Sequence, residues 1–419
     1  MKRVKKLLGV ALRLALAIGI LSYLLLKIDQ KTVRVTFRIA GAQVEEGSVY
    51  AVPELGGRQF LVLESGGHGT RLATLPLGEA PQEIPASGTL TIVKGHGPAT
   101  LAWQAADRER YGLRLIGALF AENLSEWPKW LLGLGLVFLA LGCGIVRWRL
   151  ILASQGLMLS WQKVFSIFYI GHFFNSFMLG ATGGDVVKAY YVAKETRHNK
   201  TEAVTTVFID RMIGLVAMLA LGFLMMMTRV PLFLREPALH LPGLIALVLV
   251  VGAVVAGVTV FSHNIFERWS FFRRLETRFS FGPVIKRAYE AFFLLRRRPG
   301  LVGICFVWSL LTHSLVVAAT LCYGHTLHIR LGAIDYFTFF PIINMMAALP
   351  ITPGGLGIRE GLTVRMAGAV CVPSVQALPL SLMVYASVLV WSMFGGLVFL
   401  LHTAGTGHGV REEMSEISG

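Results

Sequence analysis

The sequence predicts an all-α polytopic membrane domain of inverted repeats with two re-entrant hairpins. It adds an extracytoplasmic all-β, sandwich-like domain inserted after the first transmembrane helix. Three observations lead to this fold class. Hydrophobic residues make up 54% of the 419 and charged ones only 15%, with a mean hydropathy of +0.64, whereas soluble domains carry about 25% charged residues. Apolar runs long enough to cross a bilayer recur from Trp127 onward. Two further apolar segments are broken by nearly the same sequence, Asn175 to Thr182-Gly183-Gly184-Asp185 and Asn344 to Thr352-Pro353-Gly354-Gly355-Leu356-Gly357-Ile358-Arg359-Glu360. Gly/Pro interruptions at corresponding places in two halves mark inverted repeats around a binding site near the membrane midplane.

Along the chain, Lys2, Arg3, Lys5 and Lys6 precede the apolar run Leu7–Leu26. Twenty residues span a hydrocarbon core of about 30 Å, and no small-x-small cleavage site follows. Residues 1–26 are therefore expected to be an uncleaved anchor helix with a cytoplasmic N-terminus. Residues 27–126 differ in character. Val33, Val35, Phe37 and Ile39 alternate with polar residues, and short apolar runs follow at roughly ten-residue spacing between Gly/Pro-rich turns. That is the pattern of a small β-sandwich or barrel. Residues 127–402 form the transmembrane domain, with full spans expected at Pro128–Val146, Ala203–Met227, Leu241–Phe261, Leu301–Tyr323 and Gln376–Leu401. Trp127, Trp130, Trp148 and Trp391 near span ends are expected as interfacial anchors. Residues 403–419 remain as a cytoplasmic tail.

Charge orients the spans. The net charge of +15 concentrates between Ser262 and Gly300, where nine basic residues face three acidic ones between two apolar runs. Basic loops beside spans lie on the cytoplasmic side, so this charge excludes a nucleic-acid reading. Were Trp161–Ala181 a full span, Lys188, Lys194, Arg197 and Lys200 would lie outside. A segment that enters, turns at Gly183-Gly184 and returns keeps them inside. The same count has the second broken segment dipping in from the other face. Ordinary kinked helix pairs with glycines for close packing are the alternative.

The residues around the two turns are the candidate site. Gly183 and Gly184 let a backbone approach a ligand closely, and the helix they begin offers unpaired N–H groups to an anion. Asp185 fits an N-cap as well as a functional carboxylate, and Lys188 adds positive charge. Asp210 and Arg211 lie about two turns inside an expected span, where each costs roughly 2.5–3.5 kcal/mol at a helix centre. In the second turn Thr352, Gly354 and Gly355 precede Arg359 and Glu360. Ionisable groups so deep point to function, a structural Arg–Glu pair holding the turn being the alternative. His172 either lines the cavity or packs. His325 and His328 lack a third ligand, and Cys143, Cys305, Cys322 and Cys371 behave as small hydrophobes, so no metal or other cofactor is expected. No phosphate-binding loop, nucleophile elbow or metalloprotease helix occurs, so no catalytic residue is named.

Gly183-Gly184-Asp185 with Lys188, then Asp210-Arg211, then the run Leu349 to Gly361 resemble the lysylphosphatidylglycerol synthase transmembrane-region family, over about residues 127–402. Those are flippase-like integral membrane proteins. The sequence departs from the family in having Lys188 where Arg is usual and Asp210 where Glu is usual. No aminoacyltransferase domain accompanies the resemblance. It implies translocation of a polar-headed, anionic phospholipid or polyprenyl-phosphate-linked lipid between leaflets, the transporter half of the activity rather than lipid lysylation. A membrane glycosyltransferase using a polyprenyl-phosphate sugar and a non-catalytic envelope scaffold are the other classes. The expected partners are a membrane lipid substrate and, through the β-rich domain, an envelope protein.

Overall fold

The computed structural model describes residues 19, 21–25, 32–39, 44–55, 58–65, 70–77, 87–94, 97–110, 126–177, 183–196, 200–262, 298–329, 331–348, 352, 355–370, 372 and 374–406. Most of the expected anchor helix, Gly354, Cys371 and nearly all of the basic loop lie outside them, although residues 21–25 are helical.

Six strands occupy the N-terminal region: β1 (Thr32–Ile39), β2 (Val44–Leu55), β3 (Arg58–Ser65), β4 (Thr70–Leu77), β5 (Ser87–Lys94) and β6 (Gly97–Arg110). They correct the sandwich-like expectation. No sandwich forms among the described residues, because all six strands belong to one sheet, ordered β4-β3-β2-β1-β6-β5. The physical reason lies in the connections. Leu55 pairs with Arg58 across Gly56-Gly57 and Lys94 with Gly97 across Gly95-His96, and two-residue glycine connections hold consecutive strands as antiparallel neighbours. β1 then takes β6 on its free edge, Phe37 opposite Trp103. Short hairpins thus keep the strands in one layer, where a sandwich needs crossovers to a second sheet.

The rest of the described chain is helical: α1 (Trp127–Ser154), α2 (Trp161–Phe177), α3 (Gly183–Glu195), α4 (Lys200–Met227), α5 (Val230–Arg235), α6 (Pro237–Ser262), α7 (Pro299–Thr326), α8 (Ala333–Ala347), α9 (Ile358–Gly368) and α10 (Ser374–Thr406). Proline near the first turn starts α1, α5 and α7, where its missing N–H costs no helix bond. Five helices, α1, α4, α6, α7 and α10, are long and apolar enough to cross a membrane, so the protein is a multi-pass membrane protein. Their outer faces are apolar; α6 exposes Leu244, Val248, Val251 and Val254, a surface suited to lipid rather than water.

The four remaining long pieces are too short to cross. α2 has 17 residues and α8 has 15, which at 1.5 Å per residue gives about 26 Å and about 22 Å against a core of about 30 Å. α3 and α9 are shorter, at 13 and 11 residues. Each pair folds back on itself. Lys163 at the start of α2 is ion-paired at 2.5 Å to Glu195 at the end of α3, so this pair opens where α4 begins. Asp335 at the start of α8 pairs with Arg229 at 2.9 Å, and Arg365 of α9 donates to the Ala238 carbonyl at 2.9 Å. The second pair therefore opens where α4 ends. The two hairpins enter the bundle from opposite ends of α4.

α1 and α7 run antiparallel: Gly133 faces Tyr323, Arg147 faces Ser309, and Ile151 shares a buried cluster with Cys305. α2 packs against α10 through Tyr169 with Gly395 and Ser176 with Ser392, and α8 packs antiparallel along α4 through Thr338 with Met225 and Pro341 with Gly222. The α2–α3 pair thus rests on α10 and the α8–α9 pair on α4. The sheet touches this bundle on one hairpin, with β2 against α9 and α6, and Leu24 of the N-terminal helical segment reaches Gly361 of α9.

Two core clusters divide the helices. One holds Ile145, Trp148 and Leu152 of α1 with Val164 to Phe174 of α2, Val187 to Val192 of α3 and Phe399. The other gathers α8 and α9 with Val317 to Leu327 and Ala377 to Val384. The α2–α3 hairpin closes on glycine: a Cβ at Gly184 would overlap the Gly171 carbonyl and lie 2.6 Å from the Asn175 nitrogen. Gly135 of α1, by contrast, faces open space. Gly184→Ala is expected to abolish or sharply lower the thermal midpoint of the purified protein, while Gly135→Ala leaves it unchanged or raises it, as glycine costs about 1 kcal/mol in a helix interior.

Candidate functional site

Four elements meet at Asp210. This carboxylate, 6% exposed, accepts from Arg147 Nε of α1 at 2.8 Å and from Lys188 Nζ of α3 at 3.2 Å. Arg147 also donates from Nη1 to Ser309 Oγ of α7 at 2.8 Å. Gly214, one turn after Asp210, makes room for the guanidinium, since a Cβ there would sit 3.2 Å from Nη1. Lys188 is 5% exposed and lies over the Trp148 ring at 3.8 Å and the Phe168 ring at 4.6 Å. Aromatic faces attract a desolvated ammonium, so the lysine is held by a carboxylate on one side and rings on the other. Trp148 is fully buried and its indole N–H points to Thr206 Oγ1 at 3.3 Å.

The formal charges do not cancel. Arg147 and Lys188 are two cations against the single carboxylate of Asp210. The neighbouring pair, Arg211 with Asp185 at 2.8 Å, is neutral and partly exposed. One positive charge is therefore left over in an apolar bundle, where isolated charge is costly unless a counter-ion comes. Asp185 also sits in the first turn of α3, so its helix-capping position and its ion pair coexist. Beside it, Asn175 Oδ1 accepts the Gly184 N–H at 2.9 Å, which ties the end of α2 to the start of α3. Gly183 and Gly184 are both buried.

The second turn is built differently. Gly355 and Gly357 have φ of 72° and 86°, a region that side chains disfavour. Glu360, completely buried, accepts the Gly357 N–H on Oε2 at 2.6 Å, and the Ser381 hydroxyl on Oε1 at 3.2 Å. Arg359 Nε lies 3.5 Å from the same Oε1, and its guanidinium is 4.8 Å from the centre of the Tyr385 ring. Oε2 thus holds the turn, while Oε1 ties it to α10 and faces Arg359. Thr352 is 1% exposed, and its hydroxyl has no hydrogen-bond partner among the described residues. Gly354 lies outside those residues.

The structure thus brings Lys188, Asp210, Asp185, Arg211, Gly183 and Gly184 into one constellation and Thr352, Gly355, Arg359 and Glu360 into another, in different core clusters. Sequence reasoning missed Arg147 and Ser309. Arg147 follows the last residue of the expected span Pro128–Val146. The longer helix α1 instead carries it inside the bundle at 8% exposure. Trp148, expected as an interfacial anchor, is the buried floor under Lys188. The usable signal was the pair of basic residues, Arg147 and Arg149, inside an apolar helical period opposite the buried Asp210.

Removing the shared carboxylate leaves two cations uncompensated. Asp210→Asn is expected to destabilise the protein by about 3–5 kcal/mol, the cost of breaking a buried ion pair. Asp185→Asn, in a partly exposed pair, is expected to cost about 1 kcal/mol or less. Thermal unfolding in detergent with both variants side by side checks the difference.

The comparisons with known proteins agree with the helical part of this architecture. The profile of the family described as "Lysylphosphatidylglycerol synthase TM region" matches residues 113–396, which leaves all six strands outside the match. No curated protein and no solved structure matches the chain. The match spans more than half of the chain and includes both glycine turns and the Asp210 cluster. The chain belongs to the family of the lysylphosphatidylglycerol synthase TM region.

Proposed function

We propose that this protein translocates an anionic, phosphate-bearing lipid between the leaflets of a cell membrane. The observation that carries the reading is the buried constellation of Arg147, Lys188 and Asp210 with one formal positive charge to spare. A lipid phosphate supplies the missing negative charge, and in a low-dielectric site that attraction is worth far more than at a surface. Family membership supports a lipid-related role. The neutral, self-satisfied Arg359–Glu360 turn acts in this scheme as a fixed elbow of the opposite half rather than as a second phosphate anchor.

The architecture accompanying this proposal is an inverted repeat with two re-entrant hairpins, α2–α3 and α8–α9. Support comes from the antiparallel packing of α1 on α7, the reciprocal seating of each hairpin on the other half's last span, and the opening of the two hairpins at opposite ends of α4. Such repeats give alternating access by rocking one half against the other. Both termini are then cytoplasmic, with the basic stretch 262–300 inside and the sheet outside, on the face where α8–α9 opens. The contact of β2 with α9 fits that side. An envelope protein bound through the sheet is part of the same proposal.

Full-length protein in phosphatidylcholine vesicles, doped with a phosphatidylglycerol carrying a fluorescent acyl chain, tests the function through dithionite access. Wild type is expected to expose inner-leaflet probe. Lys188→Met, which leaves a neutral Arg147–Asp210 pair, is expected to fold normally and to lose transport about tenfold or more, the effect of roughly 1.4 kcal/mol of lost anion binding. Equal transport by both proteins overturns the phosphate-docking role. Cysteines at Lys194 and Ser270 are expected to label from the cytoplasmic face only, and labelling of residue 194 from outside overturns the first re-entrant hairpin.

A further inference from the structure

The two constellations are not in one cluster, yet one face of α10 runs from one to the other. Ser381, Tyr385, Val388, Ser392 and Gly395 recur at helical spacing, so they line one side of the helix. Ser381 donates to Glu360, and Arg359 lies over Tyr385. Further along, the Ser392 and Ser176 hydroxyls meet at 2.5 Å, Ser392 donates to the His172 carbonyl at 3.2 Å, and the His172 ring interacts with the backbone of Val388. Gly395 abuts the Tyr169 carbonyl. Ser176 is the neighbour of Asn175, which holds the Gly184 N–H beside Asp185. From Ser381 to Ser392 the stripe covers about 16 Å of helix, enough to bridge the second turn and the tip of the first hairpin.

Two polar atoms in this α2–α10 seam lack partners among the described residues. Tyr169 is 1% exposed and its hydroxyl makes no hydrogen bond to any of them, while its ring sits edge-on to Phe394 of α10 at 5.1 Å. His172 Nε2 is likewise without a partner there, but the same ring holds the Val388 backbone, so the histidine has a structural role. The tyrosine hydroxyl has none: an unpaired buried polar atom costs about 1–3 kcal/mol, and phenylalanine packs the same space without that cost.

We infer that the α2–α10 seam is a second binding site for the lipid headgroup, a transit site reached from the Lys188 cluster, in which the Tyr169 hydroxyl donates a hydrogen bond to a phosphate oxygen. This rests on the translocation reading above and extends it to named residues outside both glycine turns. At rest the seam is closed, because a Cβ at Gly395 would overlap the Tyr169 carbonyl and one at Gly396 would lie 2.8 Å from the Phe173 ring. As α2 parts from α10, the Tyr169 hydroxyl meets a phosphate leaving Lys188, and the Ser176–Ser392 hydroxyl pair opens to donate in turn. The ligand class is a phosphate-bearing headgroup, whichever lipid carries it.

Tyr169→Phe tests this in the full chain, with His172 kept because its ring holds the Val388 backbone. A merely structural role predicts unchanged or raised thermal stability and unchanged transport, since no side-chain hydrogen bond of the tyrosine to the described residues is removed. The transit site predicts the same stability, fluorescent phosphatidylglycerol still co-purifying at wild-type level with the protein through the Lys188 cluster, and transport in vesicles slowed about tenfold or more, equivalent to about 1.4 kcal/mol at the transit step. A variant that transports at the wild-type rate while wild type is active overturns the seam and leaves the docking site standing. A variant that loses co-purifying probe along with transport also overturns it, because the residue then serves docking rather than transit. Wild type that moves no probe overturns the translocation reading and this inference together.

Discussion

Asp210 is buried between two cations that reach it from different helices, and the first half of the bundle is arranged around that fact. A carboxylate in an apolar interior is tolerated only when its oxygens are filled by charged donors. Arg147 and Lys188 fill them, which fixes α1 and α3 against α4. Because Arg147 also holds Ser309, the same network reaches into the second half through α7. Trp148 and Phe168 complete the lysine's surroundings, so the ammonium is removed from water without being left bare. The surplus positive charge that results is a property of the assembled helices, since no single segment contains all three groups.

The stretch from α7 to α10 repeats the order of long helix, two short helices and long helix for a different end. Its carboxylate, Glu360, spends both oxygens on the turn that precedes it and on α10. Two left-handed glycines and a buried glutamate make a rigid elbow where the first half has an ion cluster. The two stretches share an order of elements and differ in chemistry, one carrying a charged cluster and the other a self-contained turn. The unmatched sheet adds to that asymmetry, because its strand β2 lies against α9 and not against the first hairpin.

Much of this was legible from residue order alone. Leu, Val and Phe runs of bilayer length gave five spans, and proline and glycine marked where helices begin and break. Thr182-Gly183-Gly184 and Thr352-Pro353-Gly354-Gly355 marked the places where α2 gives way to α3 and α8 to α9. Alternation in Val33 to Ile39 announced strands. It did not tell one sheet from two, because period-two patterning specifies that a strand has an inner face and says nothing about which partner covers it.

What the sequence by itself determined is therefore the local part: apolar periodicity, helix starts and breaks, the strand segments and the presence of charged residues inside them. Only the tertiary structure decided which charges meet. Arg147 resembled a flanking cation because hydropathy ends a span at its last apolar residue, whereas α1 continues for two more turns against α7. The desolvation cost of Arg359 and Glu360 was visible in the sequence, whereas the partners of Glu360, Gly357 and Ser381, were not. A side chain's desolvation can be read from its neighbours in sequence. Its compensation depends on groups 63, 22 and 21 residues away, and those distances close only when the helices pack.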